Sequence, residues 1–295
     1  MRVVVLTVVA LVACASALSE VPWPRGYHEE VGIPLAAKIK EAEEGLRASR
    51  SIEGFDDRII GGVMSTPNAH PYFAGLLIDI VGWGGQSVCG SVVLSSNRLV
   101  TAAHCWQHSL QAWRFTAVLG TTMLYNGGTR ISTTQVFMHP QYDPTSLVND
   151  IAMIYLPRPV QLSASIRPVQ LPWQIESFAG QWAVATGFGK TSDAQQGASP
   201  WQSTVHLQVI SLAQCLNIVP HWANSVVDST ICTSGAGGVG VCGGDSGGPL
   251  VINRHGQTIL VGISSFAAQN ACQQGWPSGF VRVTSFLNFI SQHMW

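Results

Sequence analysis

The chain has 295 residues, of which 46 % are hydrophobic and 11 % are charged, and its formal net charge is −1. A composition this apolar can fill a sizeable core, which excludes a disordered or acidic-tail protein. A net charge near zero, with no basic stripe interleaved with aromatic residues, argues against a nucleic-acid partner and against attraction to an anionic membrane.

Residues 1–17 have the pattern of a secretory signal peptide. A single positive charge at Arg2 precedes an apolar run of about a dozen residues, and Ala15-Ser16-Ala17 matches a small-residue cleavage site. The run is short for a membrane span, which needs roughly 20 residues. We therefore expect a secreted, extracellular protein without a membrane anchor.

Residues 18–58 differ in composition from the rest of the chain. They hold nine of the sixteen acidic residues and no cysteine. After Pro34, apolar residues recur at helical spacing and predict one amphipathic helix, too small to bury a core of its own; these residues are Leu35, Ile39, Ala42 and Leu46.

From Arg58 onward the pattern changes to short apolar or alternating runs separated by glycine and proline clusters. This pattern is typical of an all-β barrel or sandwich. The tail at 285–295 is predicted to close the fold as one short helix. The chain shows no internal repeat at a fixed period.

The cysteines indicate disulfides. Cys14 belongs to the predicted signal peptide, so six of the seven cysteines remain. An even number in a secreted protein predicts disulfides, although six cysteines allow about 15 connectivities and spacing does not choose among them. No C-x-x-C pair occurs, which argues against a zinc site.

Three short sequences carry the candidate chemistry. TAAHC places His104 directly after an apolar strand, and NDIAMIYL places Asp150 at the start of a buried one. CGGDSGGPL surrounds Ser246 with glycines, whose backbone can turn sharply and direct N–H groups toward a substrate. A serine hydroxyl is a poor nucleophile until a base takes its proton, and that base needs a third group to fix its tautomer. The three residue types therefore indicate nucleophilic catalysis.

With these motifs in the order His, Asp, Ser, the chain from about Arg58 to its C-terminus resembles the trypsin/chymotrypsin family of serine proteases. Subtilisins and α/β-hydrolases have other orders. The sequence RIIGG, the six cysteines and the style of the N-terminal segment are similar to those of insect digestive chymotrypsin-like proteinases. The resemblance implies two packed six-stranded antiparallel β-barrels with a short C-terminal helix. It also implies this division of the chain: signal peptide 1–17, activation propeptide 18–58 and protease domain 59–295, with barrels at about 59–170 and 171–295.

The resemblance also assigns roles to individual residues. Ser246 would be the nucleophile, His104 the general base and then acid, and Asp150 the carboxylate that orients His104. The N–H groups of Gly244 and Ser246 would form the oxyanion hole. The implied disulfides are Cys89–Cys105, Cys215–Cys232 and Cys242–Cys272.

No metal or cofactor is expected. His104 and His108 have a spacing that can bind zinc on a helix, but no third ligand is evident. Trypsins build a calcium loop in the stretch between Cys105 and Tyr142, and here that stretch contains no Asp or Glu to supply carboxylates.

In the family alignment Gly240 lies at the base of the primary pocket, where trypsins carry an aspartate. We therefore expect no preference for Arg or Lys. Chymotrypsins often have glycine at both wall positions and elastases have larger residues, so the chain lies between the two. We expect cleavage after large apolar or aromatic residues, and an elastase-like preference for smaller aliphatic residues is the alternative. The wall residues map to Ser265, Phe266, Ala267 and Ser278.

The sequence around Arg58 and Ile59 resembles the family's activation site, so a trypsin-like protease should cut between these two residues. The new amine of Ile59 should then pair with Asp245, which adjoins the nucleophile. We expect residues 18–58 to dissociate after the cut, because they have no cysteine to hold them.

The expected partners are protein and peptide substrates, the activating protease and protein inhibitors, and we expect a monomer. Two other functions stay open: a protease of a clotting or immune cascade, and a homologue that has lost catalysis and acts by binding. The short cysteine-free segment favours a digestive role over the first, and the intact His, Asp and Ser argue against the second.

Overall fold

The computed structural model describes residues 26–49, 62–190, 193, 198–268 and 271–295. The predicted signal peptide and the predicted cleavage site, Arg58 and Ile59, lie outside these residues. The described part consists mainly of short antiparallel strands in two sheets. Within it, no helix has the length and apolarity needed to cross a membrane.

The chain enters the sheets through β1 (Val63–Met64), which pairs with the second sheet. The first sheet has seven strands in the spatial order β6-β5-β2-β3-β4-β8-β7. Their bounds are β2 Phe73–Ile80, β3 Gln86–Val93, β4 Arg98–Thr101, β5 Ala112–Leu119, β6 Thr129–Thr133, β7 Val136–Met138 and β8 Ala152–Tyr155. No pairing between the described residues joins β6 to β7, so this sheet is a half-barrel.

The second sheet closes on itself. Strand β9 pairs with both β10 and β12, which completes a ring in the order β10-β11-β14-β13-β12-β9, and β1 extends the edge of β10. The all-β prediction is therefore confirmed, with one closed six-stranded barrel. The strand bounds are β9 Trp182–Gly187, β10 Ser203–Ile210, β11 Thr230–Thr233, β12 Pro249–Arg254, β13 Gln257–Phe266 and β14 Ser278–Arg282.

Three α-helices lie within the described residues. Helix α1 (Ile33–Ser49) follows a π-helical turn at His28–Gly32. Helix α2 (Leu212–Ile218) begins at a capping box, in which Ser211 and Gln214 satisfy each other's backbone N–H groups. The predicted C-terminal helix is α3 (Leu287–Gln292).

The predicted apolar stripe of α1 is its buried face. Leu35 and Ile39 are fully buried, and they pack with Phe73 and Leu77 of β2. The opposite face of β2 contributes residues such as Leu76 to the core of the first sheet. Successive side chains of a strand point to opposite faces. The continuous apolar run of β2 is therefore explained by burial on both faces, with α1 covering one of them.

Three disulfides form the pairs that the resemblance implies. Cys89–Cys105 joins β3 to the turn that carries His104, and Cys242–Cys272 borders the loop that carries Ser246. Cys215–Cys232 joins α2 to β11. Two of the three bridges thus support the segments that hold candidate site residues.

The first sheet and the Ser246 loop meet backbone to backbone at Gly90 in β3. The Gly90 N–H donates to the Ser246 carbonyl at 2.7 Å, and the Thr101 hydroxyl donates to the Gly90 carbonyl at 2.7 Å. A Cβ on Gly90 would lie 2.8 Å from the Cα of Gly248. Contact this close leaves no room for a side chain between the two segments.

We expect Gly90→Ala to push the Ser246 loop away from β3 and to lower the free energy of unfolding by about 1–3 kcal/mol, the usual cost of overpacking. Gly85→Ala is the matched control, because no atom lies within 4 Å of a Cβ at that position. Urea unfolding of both full-length variants measures the difference. Equal stability of the two variants would contradict this account of the contact.

Candidate active site

His104 and Asp150 form a completely buried pair. His104 lies in a 3₁₀ turn after β4, and Asp150 lies just before β8, which pairs with β4. The Nδ1 of His104 lies 2.7 Å from Asp150 Oδ2, and the backbone N–H of His104 donates to Oδ1 at 2.9 Å. Because Nδ1 carries the proton shared with the carboxylate, Nε2 is the nitrogen left to accept a proton.

Asp150 accepts a further hydrogen bond from the second sheet. The hydroxyl of Ser265, in β13, donates to Asp150 Oδ2 at 2.6 Å. The sequence reasoning assigned Ser265 to the pocket wall and missed this contact, since no local pattern links two residues 115 positions apart. Ser265 positions the carboxylate and so acts on His104 indirectly.

The loop around Ser246 depends on glycine. Gly244 has φ +107° and Gly247 has φ +76°, conformations that residues with a Cβ rarely adopt. Among the described residues, no acceptor takes the N–H of Gly244 or of Ser246. The resemblance predicts that these two N–H groups stabilise an oxyanion.

Asp245 is buried next to Ser246, and its carboxylate accepts the N–H of Gly189 at 2.9 Å and that of Cys242 at 3.0 Å. Burial raises the pKa of Asp245 to about 6. Within the described chain, no cationic group lies at ion-pair distance from this carboxylate.

The predicted pocket residues fall into two groups. Gly240 and Ser278 are neighbours: a Cβ on Gly240 would lie 3.0 Å from the Ser278 hydroxyl, which accepts the N–H of Val241 at 3.2 Å. The Phe266 ring instead packs edge-on against Trp222, with centroids 5.7 Å apart. Ala267 belongs to the buried apolar cluster that contains Val241.

The N-terminal segment reaches this site, which the sequence reasoning did not anticipate. The Tyr27 ring lies edge-on to the His104 ring, with centroids 4.9 Å apart. Its hydroxyl donates to the Val88 carbonyl at 2.6 Å and lies beside the Ser246 side chain. Among the described residues, His104 Nε2 has no hydrogen-bond partner. The Ser246 hydroxyl therefore makes no hydrogen bond to His104 Nε2 in this arrangement.

His28, the next residue, is also fully buried. Its Nδ1 lies 2.9 Å from the hydroxyl of Ser87. Burial, together with the nearby His104 and His108, lowers the pKa of His28 to about 3. His28 is therefore neutral in this arrangement at any pH near neutrality.

Comparison with known proteins agrees with the site geometry. The trypsin family model matches residues 59–290. Brachyurin of Leptuca pugilator is 37 % identical over 79 % of this chain and 96 % of its own length. Collagenase of Hypoderma lineatum is 32 % identical over 81 % of this chain and 88 % of its own.

The solved structure of HL collagenase superposes with a TM-score of 0.72 and 30 % identity, covering 80 % of this chain and 98 % of that one. The matched region includes His104, Asp150, Ser246 and both sheets. The chain therefore belongs to the trypsin/chymotrypsin family and is a serine endopeptidase that acts on protein substrates.

Proposed function

We propose that the chain is a secreted zymogen whose mature enzyme cleaves proteins after large apolar or aromatic residues, in a digestive role. The observation that carries the proposal is the buried His104–Asp150 pair beside Ser246, in a glycine-rich loop. This complete set argues against a homologue that acts only by binding.

The proposed mechanism follows from these contacts. Ser246 Oγ attacks the substrate carbonyl while its proton moves to His104 Nε2, and Asp150 stabilises the resulting imidazolium through Nδ1–H. The N–H groups of Gly244 and Ser246 stabilise the oxyanion. His104 then gives the proton to the leaving amine, and water hydrolyses the acyl-enzyme by the reverse use of the same groups.

Activation is proposed to occur when a trypsin-like protease cuts after Arg58. The new amine of Ile59 would enter the site beside Asp245, whose buried carboxylate has two N–H donors but no cation among the described residues. The ion pair would hold the backbone of Gly244 and Ser246 in its oxyanion-binding form. The absence of an anion at Gly240 supports the need for an outside protease.

The digestive, extracellular role rests on the sequence pattern of a signal peptide and a short cysteine-free segment. A cascade protease is the alternative. Protein inhibitors of serine proteases are proposed as further partners, and the enzyme is proposed to act as a monomer.

Ser246→Ala should lower the turnover of the activated enzyme by about a millionfold, as for other enzymes whose nucleophile is removed. The fold should be retained, because only a hydroxyl is lost. A fluorophosphonate should label the activated wild-type enzyme and leave this variant unlabelled. Ser265→Ala is the control, because it removes a hydroxyl from the same site and should leave labelling intact while lowering turnover. Wild-type turnover in Ser246→Ala would refute the assignment.

Asp245→Asn should change how proenzyme stability depends on pH. The folded pKa of about 6 exceeds the unfolded value near 4, so the folded wild type binds an extra proton between these values. Its stability relative to Asp245→Asn should therefore fall by about 2 kcal/mol as pH rises from about 4 to 7. Urea unfolding of both proteins across this range measures the difference, and a flat difference would contradict it.

Amide substrates that vary in the residue before the scissile bond should be cut after Phe, Tyr, Leu or Met at least about tenfold faster than after Arg. An uncharged pocket base gives a guanidinium nothing to offset its desolvation. Gly240→Asp should reduce this ratio by supplying a carboxylate. Preferred cleavage after Ala or Val would establish the elastase-like alternative, and cleavage after Arg by the wild type would refute both.

A further inference from the structure

We propose that residues 26–49 are an inhibitor of this enzyme, which binds across Ser246 and His104 and stays bound after the chain is cut at Arg58. The inference rests on the proposed function, because it takes Ser246 and His104 as the catalytic pair. It replaces the expectation that the segment leaves as soon as the chain is cut.

Tyr27 blocks the reacting atoms directly. Its phenol oxygen lies beside the Ser246 side chain and donates to the Val88 carbonyl, and its ring lies edge-on to the His104 ring with centroids 4.9 Å apart. Proton transfer from Ser246 to His104 Nε2 requires a hydrogen bond between them, and with Tyr27 in place His104 Nε2 has no hydrogen-bond partner among the described residues. His104 also protonates the leaving amine, so the space beside its ring must be open for catalysis.

The backbone at Tyr27 explains why an aromatic residue at this site is held without being cut. Tyr27 has helical angles, φ −47° and ψ −49°, and the π-helical turn follows it directly. A peptide recognised along a strand edge is extended, so that its carbonyls alternate in direction. A helical turn does not present its carbonyl in that way. The segment therefore blocks the site without binding as a substrate.

Helix α1 fills the neighbouring side of the site. The Leu35 side chain lies so close to Gly244 that a Cβ on this glycine would collide with it. Leu35, Ala36 and Ile39 are buried in one apolar cluster with Phe188 and residues of the first sheet. The helix thus covers the backbone that is proposed to stabilise the oxyanion.

Polar contacts anchor the segment along its length. The buried carboxylate of Glu43 accepts the N–H of Leu124 at 2.7 Å and that of Tyr125 at 3.0 Å. Near the helix end, Arg47 donates to Asn126 at 2.8 Å. At the other end, Glu29 accepts the hydroxyl of Ser109 at 2.6 Å. The segment therefore recognises the protease domain at three separate places.

The cut at Arg58 leaves every one of these contacts in place. They extend from Tyr27 to Arg47, and the cut lies eleven residues beyond Arg47. With the segment bound, His104 is 0 % exposed and Ser246 is 3 % exposed. A new N-terminus at Ile59 therefore does not by itself open the site to a substrate.

Release requires dissociation or a second cut. Lys38 and Lys40 are exposed on α1. A trypsin-like protease would therefore cut after them once the helix unfolds locally. The activating protease would thus make two kinds of cut, one that creates the new N-terminus and one that destroys the inhibitor.

The test needs a protease that makes only the first cut. An enteropeptidase site, four aspartates followed by a lysine, is placed before Ile59 by Gly54→Asp, Phe55→Asp and Arg58→Lys. Enteropeptidase should not cut after Lys38 or Lys40, because neither follows such a run of aspartates. The full-length proenzyme with this site is cut, and cleavage is followed by N-terminal sequencing. Activity on an aromatic amide substrate is measured over a dilution series, and co-elution of the segment is followed by gel filtration with mass spectrometry.

We expect the cut protein to retain the segment at micromolar concentration and to show less than about a tenth of its full activity. Dilution, or later addition of trypsin, should remove the segment and restore the remaining activity. Leu35→Asp in the same background should show more than about half of its full activity at micromolar concentration as soon as it is cut, because it should bind the segment roughly a hundredfold more weakly.

Glu43→Gln and Glu44→Gln form the matched pair. Glu43 is buried and accepts two N–H groups, whereas Glu44 is exposed. Only Glu43→Gln should shift the dilution at which activity appears, by about tenfold. This variant tests the proposal with a smaller perturbation than an aspartate in an apolar cluster.

The inference would be overturned if the cut protein with the wild-type segment were fully active at every concentration and no peptide co-eluted with it. That result would leave the proposed function intact. An equal effect of Glu43→Gln and Glu44→Gln would also overturn it. Failure of the cut Leu35→Asp protein to react with a fluorophosphonate, even after trypsin, would instead reject the proposed function.

Discussion

The carboxylate of Asp150 is the point at which the two sheets and the proposed chemistry meet. It accepts a backbone N–H and a ring N–H from His104 on the first sheet, and a hydroxyl from Ser265 on the second. A fully buried carboxylate is tolerated only when such donors are present, and each charged hydrogen bond contributes about 1.5–3 kcal/mol. If one sheet moved relative to the other, the buried carboxylate would lose some of these hydrogen-bond donors. The relative position of the sheets and the tautomer of His104 are therefore set by one group.

The glycines at the same junction contribute because they have no side chain, so that two backbone segments can come into direct contact. Gly90 and Gly248 allow β3 to touch the Ser246 loop without an intervening side chain. Gly244 turns the loop through a left-handed conformation. Asp150 orients His104, and the glycines allow the Ser246 loop to pack directly on β3. The arrangement of these groups is therefore set by the fold before a substrate binds.

Much of this could be predicted from the sequence, because the key residues sit at the ends of strands within short motifs. His104, Asp150 and Ser246 were located in that way, and so was the apolar stripe of α1. The role of Ser265 was not, since its partner is 115 residues away and no pattern records the register of two sheets. The docking of Tyr27 onto the site is of the same kind, because Tyr27 and Val88 are 61 residues apart.

Glu43 shows a second reason why the docking of the N-terminal segment could not be predicted from the sequence. It lies four residues after Ile39, on the face of α1 that is buried, yet an acidic side chain in an amphipathic pattern is interpreted as solvent-facing. Its burial depends on two free N–H groups at Leu124 and Tyr125, which only the folded first sheet supplies. A binding face that mixes apolar and satisfied polar groups is typical of a specific interface, and a hydrophobic pattern alone underestimates it.

The covalent connection gives this interface a property that its contacts alone lack. Only nine residues separate Ser49 from Ile59, and short connections give effective concentrations in the millimolar range. A segment with a dissociation constant of about 10 nM, which retention at micromolar concentration requires, would then leave about one molecule in a hundred thousand open while the chain is intact. Once the connection is cut, occupancy depends on the concentration of the released segment, so dilution favours the open enzyme. Stronger contacts would improve inhibition of the precursor little and would delay release after the cut. A helix held by a few buried anchors, without a disulfide, meets both requirements.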